Sequence, residues 1–80
     1  MSIKIVQTNG DEIGKNIKRI RKEKNLKAVD VIAQLQQDCS IEITAYSFSK
    51  IENGTQNITV NFLRALTKIF DCDFNEFFKI

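Results

Sequence analysis

Histidine, tryptophan and proline are missing from this 80-residue chain, and glycine (three) and cysteine (two) are scarce. Without histidine the commonest acid/base catalyst at neutral pH is gone, and with it the commonest nitrogen ligand for zinc. Cys39 and Cys72 form neither a C-x-x-C pair nor a disulfide framework, so both read as small apolar residues and no metal site is expected. Gly10, Gly14 and Gly54 are scattered, which excludes a glycine-rich loop cradling a phosphate. Ser47 and Ser49 have no base to activate them and the carboxylates are dispersed, so the chain is not expected to be an enzyme or to need a cofactor. No run approaches the ~18 apolar residues of a membrane span, and the N-terminus lacks the apolar core of a secretion signal; a cytoplasmic location with no membrane partner is the expectation.

What remains is 42% hydrophobic and 28% charged residues, a composition that fits one small globular domain and no second one. The formal net charge is only +2, but it is unevenly placed. Between Lys15 and Lys27 seven cations stand against Glu23 alone, giving that stretch +6 and leaving −4 for the remainder. Such a segment is either a phosphate-contacting surface or a solvated helix face.

Periodicity divides the chain into short elements. Ile3, Lys4 and Ile5 alternate weakly ahead of the Asn9-Gly10 turn signal, which suggests an arm or a short strand. Asn9 with Glu12 resembles a capping box, and Ile13, Ile17 and Ile20 share one face, so the spacing predicts a helix over about Asp11 to Lys24. A second helix is predicted over Leu26 to Gln37, where Val31, Ile32 and Leu35 recur at helical spacing, followed by an extended connector through Ile43. Thr44 is placed to cap a third helix ending at Asn53-Gly54, with Phe48 and Ile51 inward and Gly54 suited to the left-handed position after it. Thr59 is placed to cap a fourth, whose stripe is Phe62, Leu63, Leu66, Ile69 and Phe70, ended by Asp71. Asp73 and Glu76 repeat the capping-box pattern before a last short helix through Phe78, making five. Phe74, Phe77, Phe78 and Ile80 are more apolar side chains than so short a helix buries alone, which suggests a surface shared with a second copy; an N-terminal arm able to pair as a strand offers the alternative surface.

Three blocks, IGKNIKRIRKEKNL from Ile13 to Leu26, SKIENG from Ser49 to Gly54 and LRALTKIF from Leu63 to Phe70, give the chain its resemblance to a family. From Ile13 to Phe78 it resembles the phage-repressor and Cro type (XRE family) of helix-turn-helix DNA-binding domain, over more than three quarters of its length. The resemblance implies an all-α, five-helix, lambda-repressor-like domain over residues 11–80 behind an N-terminal arm at 1–10. It implies a sequence-specific transcriptional regulator, a prophage or mobile-element repressor by context, that lays its third helix in the major groove of a double-stranded operator as a homodimer. No small-molecule ligand is expected.

By position, the resemblance puts Ala45, Tyr46 and Lys50 at base edges and Lys27, Thr44, Ser47 and Asn53 near phosphates, and it pairs Arg21 with Glu52 as an ion pair tying the first helix to the third. Each assignment has a plainer counterpart. Tyr46 lies against DNA or covers its own helix; Lys50 reads a base, or meets phosphate or solvent. Ala28 stands where the family often has a glutamine bracing the DNA backbone, and the connector before Thr44 is several residues longer than the family's turn. The alternative function is a protein-interaction module of the same fold without DNA binding, for which the low net charge, Ala28 and Ala45 speak.

Overall fold

A computed structural model describes residues 4–5 and 12–79. Four α-helices, α1 (Glu12–Glu23), α2 (Ala28–Cys39), α3 (Ala45–Glu52) and α4 (Val60–Phe70), are followed by a 3-10 segment at Phe74–Phe78. The chain is thus largely helical, but the expected fifth α-helix is a 3-10 turn. Its expected capping box does not form, because the Asp73 side chain accepts no capping bond and Glu76 turns instead to Lys79, 2.8 Å away. The predicted arm contributes a two-residue strand, β1 (Lys4–Ile5), antiparallel to β2 (Ile58–Thr59) with Ile5 opposite Ile58. No sequence signal pointed to β2. The Asn9 half of the first expected capping box lies outside the described residues, as do Asp11 and Ile80.

Threonine caps set the two helix starts that matter most here. The Thr44 hydroxyl accepts the Ser47 N–H at 3.1 Å, and the Thr59 hydroxyl accepts that of Phe62 at 3.1 Å, each satisfying a donor the helix leaves orphaned. Helix ends are made by left-handed residues: Asn25 (φ 58°), Ser40 (φ 55°), Gly54 (φ 80°) and Asp71 (φ 51°). Asp71 thus stops α4 where predicted.

α2 corrects the sequence reading at both ends. It begins after Lys27, whose backbone N–H is taken by the Asp30 carboxylate at 3.0 Å, and it runs on through Asp38 and Cys39. The alternation of Cys39, Ile41 and Ile43 reflects real burial against the core, yet only residues 40–44 form the connector. The left-handed Ser40 lets the Ile41 N–H reach back to the Leu35 carbonyl at 2.9 Å, so the chain leaves the helix without losing that bond.

One core holds the elements together. Ile17 and Ile20 of α1, Val31 and Leu35 of α2, Phe48 and Ile51 of α3, Ile58, and Phe62, Leu63, Leu66 and Phe70 of α4 are buried in it, with Phe77 closing the end. At roughly 1.5–3 kcal/mol for each large apolar side chain fully buried, these groups supply the main force opposing chain entropy. Cys39 and Cys72 are free and pack partly buried against the same cluster. Burial, first of all, pushes the Cys72 thiol above its ordinary value.

Candidate functional site

The site is built on α3. Its sequence, AYSFSKIE, puts Phe48, Ile51 and Glu52 on one face and Ala45, Tyr46, Ser49 and Lys50 toward the other. The first three are buried, with the Phe48 ring 6.4 Å from that of Phe62. Ala45 and Ser49 are exposed, Tyr46 is 74% exposed and Lys50 is half-buried. Tyr46 and Lys50 are four residues apart, and the Lys50 Nζ lies 5.4 Å from the Tyr46 ring centroid. Tyr46 therefore does not cover the apolar face of its own helix.

Three contacts fix how α1 is held, two of them against α3. Arg21 grips Glu52 in bidentate fashion, Nε donating to Oε2 at 2.8 Å and Nη2 to Oε1 at 3.1 Å, while Nη1 donates to the Leu26 carbonyl at 3.0 Å. The side chains are only 12% and 8% exposed, so the pair is shielded and its geometry planar and specific. The hydrogen bond to Glu52 raises the Arg21 guanidinium above its ordinary value, with burial acting the other way. The expected first-helix to third-helix tie is thus present at atomic distances.

Sequence reasoning missed the second and third contacts. At Gly14 in α1, an added methyl carbon would stand 2.8 Å from the Glu52 carbonyl oxygen and closer still to that of Ile51. The first turn of α1 thus rests on the last turn of α3, and only glycine permits the approach. Asn16 is 8% exposed, and its Nδ2 donates to the carbonyls of Phe77 (2.9 Å) and Lys79 (2.6 Å), binding α1 to the segment after α4. Both signals stood in the sequence: a glycine in the first turn of a helix costs stability unless something comes close, and Asn16 interrupts the face that Ile13, Ile17 and Ile20 define.

The expected backbone-contact residues are dispersed around α3. Lys27 is exposed at the start of α2, Thr44 is exposed with its hydroxyl engaged as a cap, and Asn53 is exposed just past the end of α3. Thr44 and the half-buried Ser47 line an open groove with Glu42, Gln56 and Thr59. At this end of α2 the Lys27 N–H donates to the Asp30 carboxylate while the residue itself stays exposed. Along α1 and in the turn after it, Lys15, Lys18, Lys22 and Lys24 are exposed, and Arg19 pairs with Glu23 one turn on at 3.2 Å.

Of the C-terminal aromatics singled out for a shared surface, Phe77 is fully buried against Phe70 and Phe74, Phe74 is half-buried, and Phe78 is 42% exposed. Among the described residues no cluster of three or more cysteines and carboxylates is placed to hold a metal ion, and no helix is long and apolar enough to cross a membrane. Compared with protein families, curated proteins and solved structures, the chain matches none.

Proposed function

We propose that the chain is a sequence-specific regulator of transcription that binds double-stranded DNA, acting as a repressor of the prophage or mobile-element kind, with α2 and α3 as its helix-turn-helix and α3 in the major groove. The observation that carries this reading is the division of α3: a buried face fastened by Arg21 and Gly14, and an outer face presenting Ala45, Tyr46 and Lys50 with no large apolar group of the core among them. A major groove about 12 Å wide admits one helix, and a helix held from behind reaches base edges with its outer face alone. Lys27, Thr44, Ser47 and Asn53 surround it as phosphate contacts that set its position. Two copies on a symmetric operator complete the reading, with the exposed Phe78 as the described part of a shared surface.

The test is a mobility-shift assay against a pool of random duplexes at low salt, followed by selection of the retained sequences. A retained pool that converges on one sequence supports the reading; no retained duplex at high micromolar protein sinks it. One observation favours a second reading, a protein-interaction module of the same fold: Val29 (63% exposed) and Tyr46 are large apolar side chains in the first turns of α2 and α3. That reading gains if the pool is not retained.

A further inference from the structure

Resting on the DNA-binding reading, we propose that Tyr46 and Lys50 act as one composite reader, selecting a pyrimidine C5-methyl group that lies within two base-pair steps of a guanine. The two side chains are coupled on the protein itself. With its Nζ 5.4 Å from the ring centroid, Lys50 is attracted to one face of Tyr46, which narrows the positions its flexible stem allows. The rest of the ring, 74% exposed, stays open to solvent.

Each half of the pair matches a different group of the major groove. An ammonium has three donors and no acceptor, so it satisfies the paired N7 and O6 acceptors of guanine and is repelled by the amino donors that adenine and cytosine present there. A phenol ring is the opposite: its flat apolar surface has one apolar counterpart in the groove, the C5-methyl of thymine or of 5-methylcytosine. Successive bases are about 3.4 Å apart, so two reading groups 5.4 Å from each other reach base edges on the same or nearby base pairs. Ala45, one residue before Tyr46 and exposed, leaves room for the ring to approach the groove floor.

The experiment starts from the sequence selected from a random duplex pool. At each thymine, uracil is substituted, which removes only the methyl; at each cytosine, 5-methylcytosine is substituted, which adds it; at each guanine, 7-deazaguanine removes the N7 acceptor. One methyl should change affinity roughly fourfold, in the thymine arm, the 5-methylcytosine arm or both. Loss of N7 at the neighbouring guanine should weaken binding roughly fivefold or more. In the Tyr46→Ala protein the methyl effect should vanish and the N7 effect shrink, because the ammonium loses its guide, while Tyr46→Phe keeps both. Lys50→Ala should abolish the N7 effect. Both positions lie on the outer face, so circular dichroism and melting of the variants should match the parent. Insensitivity to the methyl in both arms, or a methyl effect unchanged in Tyr46→Ala, overturns the inference while leaving DNA binding intact. A pool from which nothing is retained overturns the DNA-binding reading and the composite reader with it.

Discussion

The two faces of α3 contrast in how much of the molecule constrains them. On the inner face Glu52 is gripped by Arg21, the backbone of Ile51 and Glu52 is pressed against Gly14, and Phe48 packs on Phe62. On the outer face Tyr46 and Lys50 touch chiefly each other, the Lys50 Nζ 5.4 Å from the ring centroid. A helix built this way separates stability from selectivity by residue. Substitution inside changes whether the helix is held and where it points; substitution outside changes what it meets while the core stays as it was.

The sharpest way to break this contrast is at Gly14. Gly14→Ala forces a methyl into the backbone of α3, and overpacking of this kind costs about 3 kcal/mol, read as a lower urea midpoint. A variant as stable as the parent would mean that α1 does not rest on α3. Glu52→Ala comes next. It leaves the Arg21 guanidinium shielded and unpaired, which should cost about 2–3 kcal/mol, below the range for wholly buried pairs because each partner keeps some contact with water. A melting temperature within a degree or two of the parent would show that the pair contributes nothing.

Outside, the expected effects fall on binding. Lys50→Ala should leave stability within about 0.5 kcal/mol and lose roughly 1–3 kcal/mol on the preferred duplex with little change on random DNA. Lys27→Ala should weaken both duplexes alike and lower the slope of log affinity against log salt by about one unit, since one fewer counterion is released. If the two behave identically, the outer face is an electrostatic surface rather than a reader.

The smallest effect concerns the end of the fold. Lys79 hydrogen-bonds Glu76 and holds its carboxyl below the ordinary value of 4.5. A carboxyl lowered in the folded state stabilises above that ordinary value, and the contribution is lost as pH falls below it. Glu76→Gln should therefore leave the neutral-pH melting temperature almost unchanged and flatten the loss of stability below about pH 4.5. An identical acid limb in both proteins would show that the contact is not kept in solution.

The local rules were legible where one side chain decides one backbone feature. Thr44 and Thr59 cap as their positions imply, and Gly54 and Asp71 take left-handed conformations at the predicted helix ends. What could not be read were choices settled by distant contacts. β2 exists because Ile58 and Thr59 meet Ile5 and Lys4, more than fifty residues earlier, and a two-residue strand has no periodicity to find. Helix α2 extends to Cys39 because a serine accepts the left-handed turn, a choice its propensity does not announce. The segment at Phe74–Phe78 tightens to 3-10 while Phe77 is drawn fully inward. At the site, the spacing of Tyr46 and Lys50 was legible as a shared face, and Arg21 with Glu52 through the family resemblance. The supporting roles of Gly14 and Asn16 were not, since neither residue type names its partner.

The Asn16 clamp also sets a clock. Its acceptors at Phe77 and Lys79 lie 61 and 63 positions along the chain, and the Arg21 partner Glu52 lies 31 along. At a synthesis rate of about 5–20 residues per second, Asn16 is added to the chain roughly 3–12 seconds before its partner carbonyls are made. During that interval α1 has its apolar stripe and Asn16 but not the carbonyls that clamp it, and its roughly three turns are too few to persist in water alone. The full clamp on α1 thus becomes available only once Lys79 has been made, so the first of the four helices to be synthesised is among the last elements to be secured.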